Sequence, residues 1–230
     1  MLIYFELAKS LNDEFRTTLL ENDLHFRGNF NSISLISLNK ETPELGISGI
    51  KTREKAESEL KNITNGTRKL SDPQRPTPEK ILQAYLIRIA LKNSDKLLPI
   101  GIPVKFITSE IVVRLDQNKH VSNESQGEKL VNDILGISDK ASLYIVELKS
   151  FRKFKELKGQ LDKFEKVIET NKDIFSKIIS IHKDNWNGSI KKLAIWPKTE
   201  GKEKEVDWGD IEVIEYQNVG ADDYRFSLLR

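Results

Sequence analysis

The stretch VNDILGISDKASLYIVELKS, residues 131–150, decides how the chain is read. Two apolar runs flank a short polar turn, the pattern of a β-hairpin. Yet Asp133 interrupts the first run, and the second ends in Glu147, Leu148 and Lys149. Side chains alternate across a strand, so Leu143, Ile145, Glu147 and Lys149 share one face, and Tyr144, Val146 and Leu148 share the other. The second face is wholly apolar and is expected to be covered. With the turn SDKAS centred on Lys140, Asp133 and Glu147 lie equally far from its centre and stand opposite each other. Opposed residues have Cβ atoms ~5 Å apart, where like charges repel. Lys149 offsets part of that repulsion, and a divalent cation between the carboxylates would offset more. Mg²⁺ suits such a place, because it is commonly held by one or two carboxylates, with other positions left to water and substrate phosphate. The plainer alternative makes Glu147 and Lys149 the polar end of a half-exposed strand and pairs Asp133 with a nearby lysine. A register slip of two residues would also part the carboxylates.

Working outward, residues 1–24 carry Leu7, Leu11, Phe15 and Leu19 near helical spacing, FNSISLISLN (30–39) alternates as a strand, and residues 52–63 read as a helix. TNGTRKLSDPQRPTP (64–78) is the best linker, so residues 1–70 are expected to form an N-terminal extension and residues 71–230 the main domain. Thr77 can cap a helix opening at Pro78, whose apolar face is expected to be Leu82, Leu86 and Ile89. Residues 102–115 read as one long strand or a bent pair, 116–128 as a polar loop, and 129–137 and 142–149 as the hairpin strands. One long amphipathic helix is expected over 152–181, with its stripe at Phe154, Leu157, Leu161, Phe164 and Ile168. Strands are expected at 190–197 and 211–216. Helices and strands alternate, which makes the class α/β or α+β.

Composition excludes much. No cysteine is present, which removes disulfides, thiolate metal sites and cysteine nucleophiles and fits a reducing cytoplasm. No apolar run approaches the ~18 residues of a membrane span. The opening MLIYFELAKSLNDEF turns acidic at once, unlike a signal peptide. Lys and Arg total 37 against 35 Asp and Glu, a formal net charge of +2, so attraction to nucleic acid must be local. The richest basic cluster is KSFRKFKELKGQLDKFEK, residues 149–166, although most such helical faces are merely solvated.

The arrangement of Asp133, a turn, and Glu147-Leu148-Lys149 resembles the PD-(D/E)xK nuclease superfamily, the restriction-endonuclease-like fold. The resemblance covers roughly residues 77–216 and implies an αβββαβ core, a mixed central sheet flanked by helices. TPEKILQAYL offers Glu79 for the glutamate that members often carry on the first core helix. GQLDKF offers Gln160, followed four residues later by Phe164 where one branch of the superfamily has tyrosine. Asn132 stands where the motif's proline would be. The resemblance implies a metal-dependent nuclease, acting most often on DNA, with Mg²⁺ or Mn²⁺ held by Asp133, Glu147 and the carbonyl of Leu148, and with Glu79 completing the shell. Lys149 would position water or stabilise charge, and Gln160 would lie beside the site. Arg152, Lys153 and Lys155 would contact the phosphate backbone. Many members act as homodimers. A catalytically silent binding or assembly module on the same fold is the alternative, and it would be expected to lack one of the three central residues.

Bland roles compete at the outlying positions. Glu79 can simply favour a helix dipole. Gln160, about 60° from the stripe's centre, can be a solvated glutamine. His25, His120 and His182 match no ligand spacing and read as structural or surface groups. VDWGD (206–210) reads as a turn, and the tryptophans as core or loop anchors.

Overall fold

The computed structural model describes residues 36–39, 44–45, 77–115, 128–181, 184–198, 206–220 and 223–229. The expected helices at 1–24 and 52–63, most of the linker and of the loop at 116–128, and all three histidines lie outside the described residues. Short strands β1 (Ile36–Asn39) and β2 (Glu44–Leu45) come first, then helix α1 (Pro78–Lys92). The strands β3 (Val104–Leu115), β4 (Glu128–Ser138) and β5 (Leu143–Leu148) follow. After them come α2 (Phe154–Thr170), α3 (Lys172–Ile181), β6 (Ile190–Pro197), β7 (Ile211–Gly220) and β8 (Asp223–Leu228). Mixed α/β content is therefore observed, with a helix, three strands, helices and further strands in that order.

The strands form one mixed sheet in the order β2-β1-β3-β4-β5-β6-β7-β8. β3, β4 and β5 are antiparallel neighbours, whereas β6 runs parallel to β5 and β7 parallel to β6. A parallel return needs a long crossover, and α2 with α3 supplies the one between β5 and β6. β1 lies parallel to β3, so residues from the expected N-terminal extension continue the sheet past its edge.

Alternating residues of β5 feed two cores. Leu143 and Ile145 pack with Leu157, Leu161 and Phe164 of α2 and Phe175 of α3. Tyr144, Val146 and Leu148 pack with Leu82 and Leu86 of α1. Both faces are therefore covered, and every residue of β5 is buried. The half-exposed strand end of the plainer alternative is not found, for Glu147 and Lys149 are only 4% and 7% exposed. The α1 face is also broader than Leu82, Leu86 and Ile89: Gln83, Ile87 and Ala90 are buried and Ile89 only partly so.

Two expectations are corrected. The single helix over 152–181 is two helices, parted at Asn171. Thr170 Oγ1 donates to Lys166 O at 2.8 Å and Asn171 Nδ2 to Val167 O at 2.8 Å. Such local side-chain bonds compete with continuation of the helix. The last expected strand, 211–216, extends to Gly220 and is followed by β8, which pairs with it antiparallel. Among the described residues no helix is long and apolar enough to cross a membrane.

Candidate functional site

The hairpin forms in the anticipated register. Ile134 pairs with Val146, Leu135 with Ile145, Gly136 with Tyr144 and Ile137 with Leu143. The same register continued by one step would set Asp133 against Glu147, but the ladder stops at Ile134 and Val146. Side chains take over there. Asn132 Nδ2 donates to Val146 O at 3.1 Å, and Leu148 N donates to Asp133 Oδ2 at 2.8 Å. Asp133 thus accepts from the backbone between Glu147 and Lys149 and joins the two segments.

Gly136 lets β4 approach β3 closely. A Cβ at that position would lie 2.4 Å from Val104 Cγ1 and 2.9 Å from Lys105 O. No side chain fits there, so this glycine fixes the sheet at the base of the site.

Lys149 Nζ donates to Glu147 Oε1 at 2.8 Å, with both side chains buried. Burial pushes the Glu147 carboxyl well above the ordinary carboxylate range, and the nearby charge of Asp133 pushes it further. Lys149 pulls the other way without cancelling these effects. For Lys149, burial works against the charged form, but Glu147 and then Asp133 outweigh it, and the ammonium is held above its usual value. Two carboxylates therefore share one cation in a place that penalises uncompensated charge.

Glu79, at the start of α1, is brought to this spot but not as a bare carboxylate. Its Oε1 accepts from Ser150 N at 2.8 Å and Ser150 Oγ at 3.1 Å, which pins the residue after Lys149. Among the described residues no three His, Cys, Asp or Glu side chains converge as a metal-holding group. The donor set that remains is the pair Asp133 and Glu147 with backbone oxygen, all hard ligands of the kind Mg²⁺ and Mn²⁺ accept. The excess negative charge and the raised Glu147 fit a site that gains from a divalent cation.

Gln160 sits half-buried on α2, the helix that covers the Glu147 face of the sheet, and its Oε1 has no hydrogen-bond partner. Of the expected phosphate contacts, Lys153 and Lys155 are exposed. Arg152 departs from its expected role. Its Nε donates to Pro197 O at 2.7 Å, its guanidinium pairs with Glu215, and it lies over the Trp196 ring at 4.4 Å. It ties the loop after β5 to β6 and β7 rather than facing solvent.

Three supporting residues escaped sequence reasoning. Gln83 Nε2 donates to Asp133 O at 2.7 Å from the buried face of α1. Asn132 replaces the missing ladder bond. Tyr216 donates its hydroxyl to Lys149 O at 3.2 Å, and burial pushes its phenol up to about 12, so it remains a donor at neutral pH. A glutamine between Ile81, Leu82 and Leu86 was the available signal for the first, since a polar group on an apolar stripe needs a buried partner.

No known protein family, curated protein or solved structure matches the chain. The geometry must therefore carry the functional reading.

Proposed function

We propose that the chain is a metal-dependent nuclease of the PD-(D/E)xK type, built on a restriction-endonuclease-like core, and that its substrate is DNA. The observation carrying this reading is the bond from Leu148 N to Asp133 Oδ2. It joins the lone aspartate of one strand to the middle of Glu147-Leu148-Lys149 on the next, in the order and spacing the superfamily uses. The element order, with β3, β4 and β5 antiparallel and β6 parallel to β5, supports the same reading.

Asp133 and Glu147, with the carbonyl of Leu148, would hold Mg²⁺ or Mn²⁺. Such an ion, when bound, polarises a phosphodiester and lowers the pKa of a water. The chain's own residues do the rest. Glu147 aims Lys149 and holds it charged, so its ammonium is ready to stabilise negative charge growing on the phosphate. Tyr216 fixes the backbone of Lys149 and Glu79 that of Ser150, which keeps the ammonium from drifting. Lys153 and Lys155 give contacts to the backbone that supply affinity without base choice. The lack of cysteine suits a cytoplasmic setting.

The test is incubation with supercoiled plasmid, linear duplex and single-stranded DNA in Mg²⁺, Mn²⁺ or EDTA, beside Asp133→Asn and Lys149→Ala. Cutting that needs metal and vanishes in both variants supports the proposal. No cutting and no metal binding by the folded protein would favour the catalytically silent module, whereas metal binding that is lost in Asp133→Asn would point to a substrate not yet tried.

A further inference from the structure

Phe151 is 69% exposed, more than any other large apolar side chain among the described residues. A lone exposed apolar residue ordinarily calls for no explanation. Its surroundings set this one apart, because much of the backbone around it is pinned by hydrogen bonds. Lys149 N donates to Ile195 O at 3.0 Å, and Lys149 O accepts from Tyr216. Ser150 is held through its N–H and hydroxyl by Glu79. Lys153 N donates to Phe151 O at 2.9 Å, a tight turn that leaves the phenyl group outside. Arg152 is clamped to Pro197, Glu215 and Trp196. The loop is therefore braced, and the apolar side chain it gives to water is an aromatic ring two residues from Lys149.

The charges beside it match a polyanion. Lys153 and Lys155 are exposed, and the contact of Lys153 with Glu156, 3.4 Å between two largely exposed groups, contributes little. An aromatic face flanked by exposed lysines is the combination that binds unpaired strands, with bases stacking on the ring while the cations follow the phosphates. In a duplex each base is already stacked on its neighbours and has no free face to offer.

Resting on the nuclease reading for the position of the strand, we infer that Phe151 is a stacking platform for an unpaired nucleobase next to the scissile phosphate. The substrate class is then single-stranded nucleic acid or a frayed or flapped end, not intact duplex. Phe151 is a positioning residue: it sets where the strand lies and takes no part in bond breaking.

The experiment uses the full chain in EDTA, with fluorescein-labelled single-stranded DNA, single-stranded RNA and blunt duplex DNA of one mixed sequence, beside Phe151→Ala, Phe151→Leu and Phe151→Trp. The alanine and leucine variants are expected to weaken single-strand binding roughly ten- to a hundredfold, with duplex binding and thermal stability unchanged. Leucine keeps apolar bulk without the ring, so its loss separates stacking from greasiness. The tryptophan variant is expected to restore binding, and the emission it adds should be quenched by the strand. Equal weakening of DNA and RNA places the contact on the base; DNA alone would add sugar discrimination to the same platform. Single-strand binding by Phe151→Ala within about twofold of the parent, equal loss for duplex, or no single-strand binding by the parent would each overturn the inference. Cleavage in Mg²⁺, run beside Lys149→Ala, keeps the two ideas apart. Phe151-dependent binding without any cleavage would retain the platform and reject the nuclease. Cleavage with Phe151-independent binding would do the reverse.

Discussion

Glu147→Gln should make the protein more stable while destroying its response to metal. The carboxylate is 4% exposed and lies close to the charge of Asp133, and the balance of burial, Asp133 and Lys149 holds its pKa up. Near pH 8 a free carboxylic acid has long since lost its proton. Folding then either buries a charge or takes a proton back, and each pH unit above the free value costs ~1.4 kcal/mol. That reasoning bounds the penalty at roughly 4–5 kcal/mol near pH 8. Glutamine removes the penalty and keeps an oxygen to accept from Lys149, but it sacrifices the ion pair with a buried ammonium. A half-compensated gain of about 1–2 kcal/mol is the expected net.

The sign with pH follows from the direction of the shift. Because the folded pKa is raised, the native state holds more protons than the unfolded state between the two values, and stability falls as pH rises through that window. The parent should lose stability from about pH 5 to pH 8, whereas Glu147→Gln should be nearly flat over the same range. Urea unfolding at a series of pH values measures this directly. Adding millimolar Mg²⁺ should raise the parent's midpoint by mass action and leave the variant's where it was. A variant less stable than the parent near pH 8, or one that keeps the Mg²⁺ shift, would refute the claim that Asp133 and Glu147 are a charge-strained pair awaiting a cation.

Gly136→Ala should cost at least about 2 kcal/mol, seen as a lower thermal midpoint, because the added methyl would meet Lys105 O at 2.9 Å and β3 cannot move away without breaking the sheet. Arg152→Lys should fail to rescue Arg152→Ala, with both losing about 2–4 kcal/mol in urea unfolding, since an ammonium cannot reproduce the hydrogen bond to Pro197, the pair with Glu215 and the stacking on Trp196. If Arg152 were instead a phosphate contact, its replacement would weaken binding and leave stability alone, which is the outcome expected for Lys153→Ala with Lys155→Ala. Lys192→Met should destabilise by about 1–3 kcal/mol, less than for a fully buried network, because Asp162, Glu165 and Asp210 are 39%, 27% and 70% exposed and can rehydrate. The Asp210 carboxyl opposes burial but is held low by its bond to Lys192, so the stability it contributes is present above the free carboxylate range and lost on acidification; Lys192→Met should weaken that acid dependence in urea titrations.

What could be read in advance follows the range of the signal. The hairpin was legible because its register depends on a turn, the residues beside it and a period of two, all local. The helix-break at Asn171 was local too, but a Thr-Asn pair inside an amphipathic stripe gives no sign until its bonds to Lys166 and Val167 are seen. β8 is present in the sequence as alternation, since Tyr224, Phe226 and Leu228 fall at every second place, yet the last expected strand ends at 216. The roles of Glu79 and Arg152 were beyond reach for another reason. Each depends on partners far along the chain, Ser150 for the first and Pro197 and Glu215 for the second. A residue type names the bonds a side chain can make, while only the fold names the partner.

That distinction bears on how the site works. Its three central residues come from one hairpin, but the groups holding them still come from elsewhere: Gln83 and Glu79 on α1, and Tyr216 on β7. The hairpin alone would let Asp133 and Glu147 splay, because two like charges repel and the ladder between them has already ended at Ile134 and Val146. Gln83 holds the backbone of Asp133, Tyr216 holds that of Lys149, and Glu79 holds Ser150, so repulsion within the pair is resisted by bonds to two distant elements. If the pair holds the proposed cation, a site braced in this way would need no rearrangement when the ion arrives, and weakening any brace should loosen the ion before it unfolds the protein. Gln83→Leu tests that order of events. Its volume and burial are retained but Asp133 O loses this donor, so stability in EDTA should fall by about 1–3 kcal/mol with the protein still folded, while the Mg²⁺-induced rise in midpoint should shrink. An unchanged Mg²⁺ shift would mean that the hairpin holds its carboxylates without help from α1.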